Sequence, residues 1–259
     1  MGNRGAVLVT RPSGQSAALC DAVRAKGLMA FSLPLLELQG LPEMPPEALS
    51  HLNQLDTYQH LIFISGNAVR FGMEKIRARW SVMPSSIQVY AMGSGSKAAL
   101  STYGVTATTA SPAMTTESLL SLGSLQAVRR QKVLIVKGVG GRRTLREELS
   151  KRGAKVDDLV CYRRLCPQVA AGDIAKKLSS WQIGLILISS GEGLCNLLTL
   201  LSPAETTNVC SIALVVPSRR IARMAEEAGF TTVYTAKNAS NKAMLEAVER
   251  SGLMSETSQ

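Results

Sequence analysis

KVLIVKGVGGRRTLREELSKRG (132–153) contains, in 22 residues, the unit from which the fold is built. KVLIVKG (132–138) is a continuous apolar run rather than an alternating one, the pattern of a parallel strand covered on both faces. A Gly-rich turn follows, and RTLREELSKRG then takes helical spacing and stops at Gly153. The same succession recurs elsewhere. AVLVTRP (6–12) leads into SGQSAALCDAVRAKG (13–27), where Ala17, Leu19, Ala22, Val23 and Lys26 mark a helix ending at Gly27. ALVVPS (213–218) leads into RRIARMAEEAG (219–229), with Ser218 as N-cap and Gly229 as the stop. HLIFISG (60–66), QVYAMGS (88–94), VTATTAS (105–111), LILISSG (185–191) and TVYTAKNAS (232–240) complete the set of strand candidates. Strands alternating with helices predict an α/β fold with parallel sheets.

The order of these pieces repeats. Strand endings run TRP, ISG, MGS, TAS from residue 6, and VKG, ISSG, VPS, NAS from residue 132. The chain therefore looks like two copies of one unit, about 1–127 and 130–259. In both copies strand C-termini pass into helix N-termini, the edge at which open α/β sheets bind ligands. Two extended segments occupy equivalent places: MAFSLPLLELQGL (29–41) and KVDDLVCYRRLCP (155–167). Each is longer than one strand requires. They are expected to cross between domains, paired as a two-stranded ladder, with the chain entering the second domain near 36 and returning near 165. Two contiguous halves remain the alternative on spacing alone.

Composition narrows the function. The 259 residues are 46% hydrophobic, 19% charged and 4% aromatic, with a net charge of +10. No apolar run approaches the roughly 18–20 residues of a membrane span, and MGNRGAVLVTRP is not a secretory signal, so a soluble, cytoplasmic chain is expected. Five cysteines, Cys20, Cys161, Cys166, Cys195 and Cys210, are scattered without a CxxC pair, which suits reduced thiols rather than a disulfide framework or a zinc site. His51 and His60 are the sole histidines, both in HLNQLDTYQH (51–60) and expected on the surface, so imidazole-based metal or triad chemistry has little material. Few aromatics for base stacking, and basic residues scattered among acids, argue against nucleic acid.

Several turns carry candidate chemistry. GSGSKAAL (93–100) resembles a dinucleotide-binding turn, but residues 75–116 contain no Asp or Glu to hold a ribose, which favours an anionic ligand over a nicotinamide cofactor. KGVGGRRTL (137–145) offers backbone N–H groups, a helix N-terminus, Lys137, Arg142 and Arg143, equally suited to a carboxylate or phosphate and to an ordinary strand-to-helix turn. The Ser-rich turns ISGNAV (64–69), ISSGEGL (188–194) and VPSRRIA (216–222) would individually be helix caps. Matched across two halves, they could line a cleft with hydroxyls and N–H donors for a molecule of many carboxylates. CYRR (161–164) places a tyrosine beside two arginines on the return crossing.

As an ordered set, these residues resemble the uroporphyrinogen-III synthase family. The resemblance runs through VLVTRP with Gln15, FSLPLLEL, ISGNAV, AMGSGSKAAL, Pro112 with ESLL (117–120), VLIVKGVGGRRTLREELSKRGAKVDDLVCYRR, ISSGEGLCNL, VPSRRIARMAEEAGF and NASNKAML. It implies two similar parallel-sheet α/β domains flanked by helices and joined by a two-stranded β-ladder. The first would be discontinuous, 1–35 with 166–259, the second 36–165, and the active-site cleft would lie between them. It implies a lyase that closes the linear octacarboxylate hydroxymethylbilane with inversion of the last pyrrole ring, through a spiro intermediate and with loss of water. No metal or organic cofactor is implied. A monomer receiving substrate from hydroxymethylbilane synthase is expected. A non-enzymatic two-domain binder of a polycarboxylate is the competing reading.

Site residues follow position by position from the resemblance. Tyr162 would give a proton to the departing hydroxyl. Ser96 and Ser218, at helix starts of opposite domains, would face the substrate. Arg11, Ser65, Gly66, Asn67, Lys137, Gly138, Gly140, Gly141, Arg142, Ser189, Ser190 and Gly191 would bind substrate carboxylates. Lys137 stands where the family usually has Arg, and Arg143 where Glu is common.

Overall fold

The computed structural model describes residues 5–110, 115–141 and 143–252. Ten strands run in chain order: β1 (Ala6–Val9), β2 (Ala30–Ser32), β3 (Glu37–Gly40), β4 (His60–Phe63), β5 (Gln88–Ala91), β6 (Lys132–Gly138), β7 (Lys155–Leu165), β8 (Ile183–Leu187), β9 (Ala213–Val216) and β10 (Val233–Thr235). They form two five-stranded sheets, β10-β9-β8-β1-β2 and β3-β7-β6-β4-β5. Pairing is parallel throughout the first sheet and among β5, β4, β6 and β7 of the second. The continuous apolar runs have the burial that parallel strands require: β1 and β4 are buried at every position, as are Val133–Val136 of β6.

Contacts divide the chain into two units, one running to Leu38 and resuming at Leu165, the other spanning Gln39–Arg164. In the first unit, one sheet face packs Leu8, Ile186, Leu214 and Val216 against helix residues such as Leu194, Leu197 and Ile221. Its other face packs Val7, Val9, Leu185 and Leu187 against Leu19, Val23, Met244 and Val248. In the second unit, Ile62, Val133, Ile135 and Val156 pack against Leu119, Leu125, Leu145 and Leu149. The opposite face of β6 receives the helix Gly66–Arg77 so closely that a Cβ on Gly72 would stand 2.4 Å from Val136 Cγ1.

The extended segment 29–41 is divided between the sheets: β2 pairs with β1, while β3 lies beside β7 on the edge of the second sheet. The expected strand over 105–111 is reduced, within the described residues, to one parallel bridge between Thr108 and Tyr90. Exposed Thr106 and Thr108 alternate there with buried Val105 and Ala107, so the segment has one face only to bury. His60, expected at the surface, is 4% exposed. It opens β4 inside the sheet, where its ring contacts the Tyr90 hydroxyl (3.1 Å) and Gln131 Oε1. His51 is half-buried against the Tyr58 hydroxyl, which donates to Asp157 Oδ2 at 2.8 Å.

Helix ends follow the small and polar residues that the chain places there. Ser65, Ser190, Ser218 and Ser240 have extended backbone and accept a hydrogen bond from the N–H three residues on. Gly27, Gly153 and Gly229 stop their helices with positive φ, which a residue with a Cβ would adopt only with strain.

Candidate functional site

Parallel pairing puts the C-terminal ends of neighbouring strands on one edge, so each unit gathers its strand-to-helix turns there. In the second unit this edge carries Ser65, Gly66 and Asn67 after β4, Gly93–Ser96 after β5, and the Gly138–Gly141 turn closing β6. Ser96 is buried in the first turn of the helix Ser94–Ser101. Tyr162 belongs to the same edge, near the end of β7. Its ring is stacked on Phe71, with centroids 5.1 Å apart and planes 18° from parallel, and its hydroxyl is 3.4 Å from Ser65 Oγ. Tyr162 is 3% exposed, so the ring is fixed by packing. Ser65 Oγ also accepts from Ala68 N–H at 3.0 Å, which ties the tyrosine hydroxyl to the start of the helix Gly66–Arg77.

The strand register explains how Tyr162 reaches Phe71. Lys137 pairs with Val160 but Gly138 pairs with Tyr162, so Cys161 is an extra residue on β7. Before this bulge, Val156 packs with Leu145 and Leu149, and Asp158 meets Arg146, all toward the helix Thr144–Lys151. After it, Tyr162 is turned to Phe71 on the helix Gly66–Arg77. A β-bulge re-aims the side chains that follow it. Buried Cys161 has its thiol pushed up to about 12 by desolvation, which keeps it protonated and inert at neutral pH.

Lys137 is turned away from Tyr162, to Asp158 Oδ2 at 3.6 Å, and Arg146 reaches the same oxygen at 3.2 Å. These residues, with Gly140, Gly141 and Arg143, line a cavity of about 500 Å³. Gly140 and Gly141 both hold positive φ there, turning successive backbone groups in a way that requires glycine. Arg142 lies outside the described residues. Asp158, Arg146 and Phe71 are contributors to this edge that sequence reasoning missed; no local motif marks them, because each contact joins separate elements.

The corresponding edge of the first unit carries Arg11, Ser189, Ser190 and Gly191, Ser218, and the turn 236–241. Ser190 and Ser218 cap their helices, and Gly193 N–H donates to Ser190 Oγ at 3.0 Å. Gly191 is buried, with the Arg220 guanidinium and Met224 near where its Cβ would stand. Arg11 donates to Asn241 Oδ1 and to the Ala239 carbonyl, and its desolvation lowers its pKa from the usual arginine value. The guanidinium thus clasps the entry of the helix Asn241–Arg250. Arg11→Ala is expected to lower stability by roughly 1.5 kcal/mol, since bonds to a charged group are lost and Asn241 is left unpaired. The urea midpoint measures it, and an unchanged midpoint would show the clasp to be dispensable.

Among the described residues, no group of three or more His, Cys, Asp or Glu side chains could hold a metal ion. No helix among them is long and apolar enough to cross a membrane.

With this geometry in hand, likeness to known proteins is specific. Residues 17–246 match the family described as Uroporphyrinogen-III synthase HemD. The uroporphyrinogen-III synthase of Salmonella typhimurium is 32% identical over 94% of this chain and 99% of its own length. That of Escherichia coli is 29% identical over the same shares. Among solved structures, the uroporphyrinogen-III synthetase of Helicobacter pylori superposes with a TM-score of 0.60 at 14% identity, covering 95% of this chain and 99% of that one. A mutant uroporphyrinogen III synthase from Thermus thermophilus gives 0.58 at 16%, covering 95% and 98%. These two likenesses establish the common fold, and the sequence matches establish more: the chain belongs to the uroporphyrinogen-III synthase family.

Proposed function

We propose that the chain is the lyase of tetrapyrrole biosynthesis that cyclises hydroxymethylbilane to uroporphyrinogen III. Family membership supports the activity, and the observation that carries a mechanism is the Tyr162 hydroxyl held beside Ser65 at a strand-end edge. Loss of hydroxide from the substrate requires a proton, which Tyr162 supplies to the departing oxygen, releasing water and leaving an azafulvene cation. Left to itself that cation closes to the uninverted isomer. The protein must instead hold the chain so that the substituted carbon of the last ring attacks, giving a spiro intermediate that fragments and recloses.

Eight substrate carboxylates suit a protein of net charge +10 whose strand ends present backbone N–H groups and hydroxyls. In this reading Ser65, Gly66, Asn67, Ser96, Lys137, Gly138, Gly140, Gly141 and Arg142 of one unit bind substrate together with Arg11, Ser189, Ser190, Gly191 and Ser218 of the other. The functional domains are then 1–35 with 166–259, and 36–165. The reading includes a cytoplasmic monomer that takes its substrate from hydroxymethylbilane synthase. Incubation with freshly generated hydroxymethylbilane, followed by chromatographic separation of the product isomers, tests it. The type III isomer is expected to dominate; type I alone, at the uncatalysed rate, would leave only a binder of polycarboxylates.

A further inference from the structure

We propose that Gly138 and Phe71 are positioning residues for Tyr162, forming a slot that fixes the direction of its hydroxyl; this rests on the reading of Tyr162 as proton donor. The slot lies wholly within the second unit. On one side stands Gly138: a Cβ there would be 2.7 Å from Tyr162 Cζ and 2.8 Å from Cε2, closer than real carbons approach, and a tight 3.1 Å from Cε1. The hydroxyl-bearing end of the ring therefore lies directly against the glycine Cα. On the other side the Phe71 ring is stacked at 5.1 Å. Phe71 is itself backed by Gly40, where a Cβ would come within 3.2 Å of Phe71 Cδ1. Two glycines thus enclose two stacked rings.

The backbone supports the same arrangement. Val139 N–H donates to the Tyr162 carbonyl at 2.8 Å, and Leu41 N–H donates to the Cys161 carbonyl at 3.0 Å. The bulge that turns Tyr162 is accordingly pinned from the strands on both sides of β7. Gly138, unlike Gly140 and Gly141, does not hold a positive φ, so its backbone would accept another residue. What excludes a side chain at 138 is the tyrosine ring. Such close approach, within a stack and ending on Ser65 Oγ, leaves the hydroxyl little freedom to swing.

A displaced acid lowers kcat more than KM, because substrate carboxylates are still bound while the proton is mis-aimed; misplacement by about 1 Å can cost on the order of 10²-fold. Gly138→Ala is therefore expected to lower kcat roughly 10–100-fold, with KM changed by less than about threefold because alanine keeps the backbone groups through which position 138 would bind a carboxylate. Phe71→Leu, which keeps an apolar side chain but no stack, should act in the same direction, and serves if Gly138→Ala folds poorly. The decisive comparison is with Tyr162→Phe. Once the hydroxyl is gone there is nothing to aim, so Gly138→Ala in that background should cause no further loss of kcat. Full kcat in Gly138→Ala and Phe71→Leu, with Tyr162→Phe slow, would overturn the slot while leaving the acid. Losses that multiply in the double variant would also overturn it, as the mark of general disruption. Full kcat in Tyr162→Phe would remove the acid, and with it any purpose for the slot.

Discussion

Tyr162→Phe is expected to lower kcat by about 10²–10⁴-fold, the usual worth of a positioned general acid, with KM nearly unchanged. The substitution deletes one oxygen and leaves the ring, so the stack on Phe71 and the fit against Gly138 persist. Ser65 keeps its bond from Ala68 N–H and so keeps capping its helix. Thermal stability should hold, which separates lost chemistry from lost structure. The residual activity measures what positioning alone achieves, because the azafulvene also forms without enzyme and only its mode of closure needs control. Stopped assays with product-isomer analysis report both quantities. A variant as fast as the parent would remove Tyr162 from the catalytic role and leave positioning as the whole mechanism. A slow variant still making type III would show that ring inversion is governed by substrate binding, separately from loss of the hydroxyl.

That separation matches the division of labour along the edge. Tyr162 is buried and rigidly held, whereas Ser65, Gly140 and Gly141 offer hydroxyl and backbone groups nearer solvent. Lys137, beside Asp158 and Arg146, belongs to a charge cluster that faces a different helix from the one holding Phe71. In the proposed reading Lys137 binds a substrate carboxylate from within this cluster, where Asp158 already shares its charge. A lysine already paired at 3.6 Å has less charge to offer a carboxylate than an unpaired one would.

Much of the fold could be read from local pattern. Continuous apolar runs such as VLIV at 133–136, bounded by turn residues and rich in β-branched side chains, read as strands buried on both faces, and the Ser and Gly residues flanking the helices cap and stop them where the spacing predicts. Long-range geometry could not be read this way. Whether 29–41 forms one strand or two depends on which sheet each part meets, and it divides between β2 and β3. His60 looks polar and loop-like beside Gln59, yet its partners Tyr90 and Gln131 come from other parts of the chain. The candidate site shows the same limit. Family resemblance singles out Tyr162, but the Cys161 bulge appears only when β7 is registered against β6. Phe71, Gly138 and Gly40 meet only after the second sheet and its helix are assembled. A glycine required for space rather than for φ leaves no trace in sequence periodicity.

The other large effect concerns the two cores. Ile62 lies on β4 between β5 and β6, fully buried among Tyr90, Leu119, Leu125, Val133, Ile135 and Leu145. Ile62→Ala is expected to cost about 3–4 kcal/mol, the loss of burial plus an unfilled cavity in a site that backbone pairing on both sides prevents from collapsing. At roughly 2–4 °C per kcal/mol for chains of this size, the thermal transition should fall on the order of 10 °C. Ile186→Ala makes the matching change on β8, the middle strand of the first unit, whose core of Leu8, Leu194, Leu214 and Ile221 shares no residue with the other. Because each core closes within its own sheet and helices, calorimetry is expected to show the two variants lowering different parts of the unfolding profile. Ile62→Ala should act on the part belonging to 39–164, and Ile186→Ala on the remainder. A single transition displaced equally by both would mean that the chain unfolds as one cooperative body. Activity at low temperature sharpens the comparison. The slot around Tyr162 stands at the strand ends, on the face of helix Gly66–Arg77, while Ile62 packs on the opposite face of the second sheet. Ile62→Ala should therefore retain near-normal kcat well below its transition, whereas Gly138→Ala should be slow at every temperature.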